Sequence, residues 1–217
     1  MTVPPSATRL YLIRHCQVAD STRGRCIGRT DVALSAGGVA SAERLAGDFA
    51  SVSVHAVYSS PLRRARETAA PLAAAAGCDV VIAPGLAEVD FGDFEGRAFD
   101  EIAAAQPDLY EQWMATPAQV RFPGGESFPD LKSRAVASVT GVLHRHPGAA
   151  VVLLSHAGPI RAILADLLEL PDQAAFNLEV DHGAITEVEW VGAEPTVRRL
   201  NGWWQSADAT APPLIAR

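Results

Sequence analysis

Basic and imidazole side chains stand at three points of the sequence, each where a short apolar run ends. Arg14 and His15 follow the first run, Arg64 lies a few residues after the second, and His156 follows a later one. The planar guanidinium group of arginine binds two oxygens of a phosphate or carboxylate at once, and a neutral imidazole is a nucleophile at pH 7. Brought together, these residues would bind such an anion beside a reactive histidine.

The apolar runs belong to an alternation of strand-like and helix-like segments. Strands are predicted where apolar residues run together, and helices where they recur every three or four positions. The predicted strands cover residues 9–13, 55–58, 80–83, 151–154, 184–190 and 197–203. The predicted helices cover residues 35–49, 65–76, 127–146 and 159–170, with Ser35 and Ser127 as amino-terminal caps and Gly77 as a stop signal.

Strands that alternate with helices indicate an α/β fold, a three-layer α/β/α sandwich around a mostly parallel central sheet. In such sheets ligands bind outside the carboxyl ends of the strands, which is where the three basic segments fall. Ser60 is interpreted as a cap, and Pro61 and Pro159 as first-turn residues of the helices that follow. The helix amino termini would then present amide groups to the same anion. The sequence does not specify the strand order.

Residues 84–127 differ from the rest of the chain, because they are rich in aromatic residues and turn signals. We interpret them as a loop-rich insertion with one helix between Phe99 and Met114, positioned to act as a lid over the site. The whole chain, 1–217, is predicted to form a single domain, with a loose tail at 206–217.

Composition narrows the class of partner. The 217 residues include 18 Lys and Arg against 25 Asp and Glu, a net charge of −7. An acidic chain is a poor partner for nucleic acid or an anionic membrane, although a few arginines suffice for a local anion site. The three cysteines fit neither a disulfide framework nor a zinc site. No signal-peptide pattern or membrane-spanning apolar run is found, so we expect a cytoplasmic protein.

Five ordered blocks of the sequence resemble the motifs of the histidine phosphatase (phosphoglycerate mutase-like) superfamily. One such block would be weak, but five in order over residues 9–190 are specific. The blocks are Leu12-Ile-Arg-His15 with Gly28-Arg-Thr-Asp31 and Leu34-Ser-Ala-Gly-Gly38, then Ser60-Pro-Leu-Arg-Arg-Ala-Arg-Glu-Thr68, Glu88-Val-Asp-Phe-Gly-Asp-Phe-Glu-Gly96, Pro123-Gly-Gly-Glu-Ser127 and Ser155-His-Ala-Gly-Pro-Ile-Arg161.

The resemblance implies a catalytic role for five residues. His15 would be the nucleophile and become phosphohistidine, while Arg14, Arg64 and His156 hold the phosphoryl oxygens. Glu88 would protonate the leaving oxygen, which an alcohol needs in order to depart. The resemblance implies no metal and no other cofactor.

It also places Gln17, Gly28, Arg29 and Ala157 among the substrate contacts. Two positions depart from the family pattern, because Cys16 and Ala157 stand where glycine is usual. A side chain at Cys16 is expected to reshape the phosphate pocket slightly, without abolishing the chemistry.

The choice of the acid remains open at this point. Asp90, Asp93 and Glu95 compete with Glu88 for the role of acid, and only the family spacing selects Glu88. Histidines outside the blocks, among them His182, are interpreted as structural.

The resulting hypothesis is a metal-independent phosphomonoesterase that acts on a small phosphorylated metabolite, in the branch of α-ribazole and broad-specificity phosphatases. A phosphoglycerate mutase-type phosphotransferase is one rival, although mutases usually carry a longer insertion between the acid and the second histidine. A non-catalytic protein that binds a phosphorylated ligand is the other. Neither nucleic acid nor a membrane is an expected partner, and a homodimer is left open.

Overall fold

The computed structural model describes residues 7–192 and 194–203, so the predicted tail at 206–217 lies outside the described residues. Within them a single mixed sheet contains six strands: β1 (Thr8–Arg14), β2 (Val54–Ser59), β3 (Val80–Ile82), β4 (Ala150–Ser155), β5 (Ile185–Trp190) and β6 (Pro195–Gly202). Their order across the sheet is β3-β2-β4-β1-β5-β6. Strands β1 to β4 are parallel to one another, β5 pairs antiparallel with β1, and β6 pairs antiparallel with β5. The prediction of a mostly parallel sheet is confirmed.

The described helices are α1 (Ala36–Asp48), α2 (Arg63–Ala76), α3 (Phe99–Ala105), α4 (Pro107–Ala115), α5 (Phe128–Arg145) and α6 (Ala157–Leu167). The predicted caps at Ser35 and Ser127 and the stop at Gly77 are confirmed, whereas Ser60, also predicted as a cap, is not the cap of α2, which is Leu62. The Ser35 hydroxyl accepts a hydrogen bond from the amide of Gly38 at 3.0 Å, and Gly77 ends α2 in the left-handed conformation at φ +68°. Ser127 and Asp130 form a reciprocal capping box at the start of α5.

The alternation of side chains along β1 explains the three layers. Leu10 and Leu12 belong to a buried cluster with residues of α5 and α6. Tyr11 and Ile13, which point to the other face, pack in a second cluster with residues of α1 and α2. Both faces of the central strand are therefore covered by helices, as its continuous apolar sequence predicts.

Two further local predictions are wrong. The single helix expected between Phe99 and Met114 is split into α3 and α4 at Gln106, which has φ −142° and ψ +66°. Pro107 follows, and a proline pushes the preceding residue out of helical geometry. Pro61 is not part of α2, because that helix begins at Arg63 with Leu62 as its cap.

The insertion at 84–127 builds a small apolar cluster of its own. The buried members from the insertion are joined by Cys26 from outside it, and half-buried apolar residues pack against them. The buried members are Cys26, Phe94, Ile102, Val120 and Phe122, and the half-buried ones are Val89, Phe91, Leu109, Tyr110 and Trp113. Phe91 and Phe99 of the insertion line the same pocket as His15 at the end of β1, which is where the predicted lid would have to lie. Among the described residues, no helix has the length and apolar character needed to cross a membrane.

Candidate active site

The carboxyl ends of β1, β2 and β4 meet at one edge of the sheet. The amide of His15 donates a hydrogen bond to the carbonyl of Ser155 at 2.9 Å, and the amide of Ser60 donates to that of Leu154 at 2.9 Å. The rings of His15 and His156 lie 5.0 Å apart between centroids, and both are buried. The predicted convergence of the three segments is therefore confirmed.

A pocket of about 520 Å³, called the phosphate pocket below, opens at this edge. Its lining includes Gln17, which was predicted to contact the substrate, and four of the five residues implied to be catalytic: Arg14, His15, Arg64 and Glu88. The fifth, His156, lies next to His15 with its ring fully buried.

The carbonyl group of Cys16 selects the tautomer of the His15 imidazole. Nδ1 of His15 lies 2.8 Å from the carbonyl oxygen of Cys16, and a carbonyl only accepts, which assigns the ring proton to Nδ1. Burial, followed by the nearby guanidinium groups of Arg64 and Arg14, lowers the pKa of His15 well below its usual value. The ring is therefore neutral at pH 7, with the lone pair of Nε2 available for attack.

Arg14 is held by the segment that precedes β5. Its Nη1 donates to the carbonyl of Val180 at 2.6 Å, and its Nη2 lies 3.0 Å from Nε2 of His182. Its Nε is buried and has no hydrogen-bond partner within the described part of the chain. An unpaired buried donor costs free energy, so an anionic oxygen placed here would be stabilised.

Ser60 orients His156. The Ser60 hydroxyl oxygen accepts from the amide of Leu62 at 3.2 Å and lies 2.8 Å from Nε2 of His156. Because Nε2 is the only acceptor found for this buried hydroxyl among the described residues, we assign the hydroxyl proton to that bond, which places the His156 ring proton on Nδ1. Nδ1 is buried and, among the residues described, finds no partner. Ser60, predicted only as a cap, thus determines which nitrogen of His156 can donate.

The guanidinium group of Arg64 is 1% exposed and is held by backbone carbonyls of the loop 27–30. Nη1 donates to Thr30 at 2.9 Å, while Nη2 donates to Gly28 at 2.8 Å and to Ile27 at 3.3 Å. Arginine has five N–H donors, so two remain for a ligand.

The carboxylate of Glu95 fixes the same loop. It accepts from the amides of Gly28 (3.3 Å), Arg29 (2.8 Å) and Thr30 (3.0 Å), from the Thr30 hydroxyl (2.6 Å) and from the amide of Phe91 (3.1 Å). Both oxygens of Glu95 are engaged, which removes it as a candidate for the acid.

Gly28 and Arg29 belong to the loop that holds Arg64, and their predicted contacts with the substrate stay predictions. The described residues that line the pocket include neither of them. A Cβ at Gly28 would overlap the carbonyl oxygen of Val89, so a glycine is required for close packing. The Arg29 side chain points toward Glu126, with 3.5 Å between Nη2 and Oε1. Both residues shape the loop that holds Arg64.

Glu88 lies against the amino terminus of α6. Its Oε1 accepts from the amides of Val89 at 2.9 Å and Gly158 at 3.2 Å, and a helix amino terminus favours negative charge. A Cβ at Gly158 would overlap this carboxylate. Of the four acids in the block, the described lining of the pocket includes only Glu88.

Arg134 of α5 holds the backbone that leads to Glu88. Its Nη1 donates to the carbonyls of Gly85 (2.9 Å) and Ala87 (2.6 Å), and its Nη2 donates to the carbonyl of Glu88 at 2.9 Å. Ser155, at the end of β4, adds a hydrogen bond to the carbonyl of Leu86 at 2.7 Å. Glu88 is therefore carried on a backbone segment that side chains from the sandwich fix in place.

The lining residues that were not predicted include Arg161 and His182. Arg161 follows His156 by five positions at the start of α6, a place from which it could have been inferred. His182 was interpreted as structural, yet its ring lies 5.1 Å from that of His15. Burial, with Arg14 as the next cause, lowers the pKa of His182 to about 4. Its contact spans 167 positions of sequence, for which no local signal exists.

Comparison with known proteins decides the family. The model of the histidine phosphatase superfamily (branch 1) matches residues 10–202. The chain belongs to the histidine phosphatase superfamily. With this membership and its phosphatase relatives, the chain is a phosphoric monoester hydrolase.

One curated relative is phosphoserine phosphatase 1 of Hydrogenobacter thermophilus. It is 28% identical over 193 residues, which cover 89% of this chain and 92% of the relative.

Two solved structures share the fold. The mycobacterial glucosyl-3-phosphoglycerate phosphatase has a TM-score of 0.83 and 28% identity, with 91% of this chain and 100% of that one covered. The α-ribazole phosphatase of Shigella flexneri has a TM-score of 0.81 and 28% identity, with 89% and 96% covered.

Cys16 departs from the histidine phosphatase pattern without facing the phosphate pocket. Its thiol lines a different cavity, together with Ser41, Arg44 and Leu45, and its amide donates to the Thr68 hydroxyl at 3.0 Å. Burial raises the pKa of the Cys16 thiol. Contrary to the expected reshaping, the described lining of the phosphate pocket does not include Cys16.

Ala157, the second departure, is the first residue of α6 and lines an apolar cavity beside the phosphate pocket. Ala157 therefore lines the neighbouring cavity, whereas the ring of His156 is buried beside His15. Its predicted contact with the substrate stays a prediction.

Proposed function

We propose that the protein is a metal-independent phosphomonoesterase that transfers the phosphoryl group of a small metabolite to His15 and then to water. The observation that carries this proposal is the His15 imidazole, whose Nδ1 is bonded to the carbonyl of Cys16, in a pocket that Arg14, Arg64 and Arg161 also line. A nucleophile without charge beside fixed cations is suited to a phosphoryl dianion, whose charge the cations stabilise in the transition state.

The unpartnered buried donors support the same assignment. Nε of Arg14 and Nδ1 of His156 both lack partners among the described residues, and their residues flank His15. Two phosphoryl oxygens would satisfy them, while the remaining donors of Arg64 would bind an oxygen as well. Nε2 of His15 would then face the phosphorus.

Glu88 would complete the reaction as acid and then as base. In the first step a bond forms between Nε2 and phosphorus, the bond from phosphorus to the alcohol oxygen breaks, and Glu88 gives its proton to that oxygen. In the second step the Glu88 carboxylate takes a proton from water, whose oxygen attacks phosphorus. The His15–phosphorus bond breaks, phosphate leaves, and the starting state returns.

The likeness to the α-ribazole phosphatase and the short span from Glu88 to His156 favour the branch of α-ribazole and broad-specificity phosphatases. A phosphoglycerate mutase-type phosphotransferase is the alternative, and it would need the phosphohistidine to survive long enough to meet a second alcohol. Release of inorganic phosphate from a panel of phosphorylated metabolites would separate the two.

A pulse of labelled substrate tests the mechanism. Acid-labile, base-stable label should appear on a peptide that contains His15, and His15→Ala should lose both label and turnover. Turnover should survive EDTA and be blocked by vanadate. Label on another residue would overturn the assignment of the nucleophile, and activity that disappears on chelation and returns with a divalent ion would overturn the metal-free mechanism.

A further inference from the structure

A second cavity, of about 380 Å³, adjoins the phosphate pocket. The two share four lining residues: Glu88, Phe91, Phe99 and Arg161. Apart from Glu88 and Arg161, the described lining of the second cavity is uncharged and almost wholly apolar. Its size falls within the range of pockets that enclose small organic ligands.

Aromatic rings from two separate apolar clusters line this cavity. On the side of the insertion, Trp113 makes edge contacts with Phe122 at 5.0 Å and lies 5.7 Å from Phe91 between ring centroids. On the side of the sandwich, Phe128 of α5 lies 5.0 Å from Phe176. Both clusters therefore present aromatic surface to a ligand in this cavity.

Helix α4 contributes apolar side chains that the fold leaves partly uncovered. None of its residues is buried, yet Tyr110, Trp113 and Met114 line the cavity. Met114 is 54% exposed. Apolar residues on a helix normally face a core, so an apolar face that lines an open cavity indicates a ligand-binding surface.

The position of Glu88 relates this cavity to the reaction. Glu88 lines both cavities. The ester oxygen that it protonates joins the phosphorus atom to the carbon skeleton of the leaving alcohol. With the phosphoryl group beside His15, the leaving group extends past Glu88 into the second cavity. Arg161 stands at the same junction, and its Nε already donates to the carbonyl of Leu178 at 2.9 Å.

We propose that the substrate is the phosphomonoester of an alcohol that carries an uncharged aromatic ring, and that this ring occupies the second cavity. The inference rests on the proposed function, since it takes Glu88 as the acid. Leaving groups that carry an ammonium or a carboxylate, such as serine or glycerate, would lose hydration against apolar walls with few charges to replace it.

Binding tests this without turnover. The probes are 2-(2-naphthyl)ethylphosphonate and ethylphosphonate, which carry the same phosphonate and differ in the ring. Calorimetry should give a Kd at least about tenfold lower for the naphthyl compound, because burying an aromatic ring removes much apolar surface from water. Equal Kd values for the two compounds would overturn the proposal.

Variants locate the ring. Met114→Gln and Trp113→Ala should each reduce the ratio of the two Kd values several-fold. Leu200→Gln, which alters an exposed apolar residue of β6, is the control and should leave the ratio unchanged. Trp113→Ala removes a ring packed in the cluster of the insertion, whereas Met114→Gln changes a mostly exposed side chain and should not disturb folding. A ratio that survives Met114→Gln and Trp113→Ala places the ring elsewhere and overturns the proposal.

Turnover separates this inference from the proposed function. The matched esters 2-(2-naphthyl)ethyl phosphate, ethyl phosphate and phosphoserine all release primary alcohols. A higher kcat/KM for the naphthyl ester supports the inference, and comparable values for all three contradict it while leaving the phosphatase mechanism standing. If no ester is hydrolysed, yet the naphthyl phosphonate binds more tightly, the proposed function fails and the ring site remains.

Discussion

Arg134 and Glu126 form a two-point ion pair beside the backbone of Glu88. Nε of Arg134 lies 2.6 Å from Oε1 of Glu126, and Nη2 lies 2.8 Å from Oε2. Glu126 also accepts from the amide of Asp90 at 3.0 Å. Because Arg134 binds the carbonyl of Glu88 as well, the pair holds the backbone from Glu88 to Asp90. We infer that Arg134 is a positioning residue for Glu88.

Arg134→Lys should therefore weaken proton transfer to the leaving group. Lysine keeps the charge but cannot reproduce the planar fork of the guanidinium group. Single-turnover phosphorylation by an alkyl phosphate should slow by about 10- to 100-fold, since small displacements of a catalytic group cost that much. Phosphorylation by p-nitrophenyl phosphate, whose leaving group needs no proton, should slow much less.

The control for this variant is Lys132→Gln, which breaks the ion pair of Lys132 with Asp172 (2.9 Å) on the same helix. It should leave the ratio of the two rates unchanged. An equal slowing of both substrates by Arg134→Lys would mean that the residue supports the fold alone.

Gly28→Ala should impair the site without touching the ligand. The added Cβ would overlap the carbonyl oxygen of Val89, so the loop must move and carry with it the carbonyl that binds Arg64. We expect a loss of stability of about 1–3 kcal/mol, typical of overpacking, and weaker inhibition by vanadate. Gly47→Ala is the matched control, because a Cβ there meets nothing within 4 Å. Unchanged vanadate inhibition in Gly28→Ala would show that the loop does not hold Arg64 in place.

The buried histidines predict how stability depends on pH. The folded-state pKa of His182 is about 4, below its ordinary value of 6.5, and burial also lowers the pKa values of His15 and His156. Between pH 4 and 6.5 the unfolded chain therefore binds more protons than the folded one. The free energy of unfolding should rise with pH across this window and level off above it.

Urea denaturation at a series of pH values measures this slope. His182→Gln should flatten it by up to one proton, and His144→Gln, which alters an exposed histidine near the end of α5, supplies the control. A slope that stays the same without His182 would contradict the assignment.

Local sequence patterns predicted most of the strands and helices, but not which distant segments contact one another. The alternation of strands and helices, the caps at Ser35 and Ser127, and the stop at Gly77 follow from interactions within a few residues. Contacts between distant segments leave no local pattern in the sequence. The close packing of Gly28, the proximity of His182 to His15, and the hydrogen bond from Arg134 to the carbonyl of Glu88 all depend on how separate elements pack. The sequence motifs located the residues that meet at the pocket, whereas the residues that orient them required the structure.

The role of Glu88 is separable from that of the groups that hold the phosphoryl oxygens. An acid matters in proportion to how much the leaving group needs its proton, and an alkoxide departs poorly whereas p-nitrophenolate departs unaided. Glu88→Gln should slow phosphorylation by an alkyl phosphate by about 10²–10⁴-fold, the usual range for general acid catalysis, and by p-nitrophenyl phosphate much less. Arg64→Ala should slow both, because the guanidinium binds the phosphoryl group whatever leaves. The rates must come from single turnovers, since Glu88 would also activate water in the second step. Equal slowing of both substrates by Glu88→Gln would exclude it as the acid that protonates the leaving oxygen, and Asp90→Asn would be the variant to measure next.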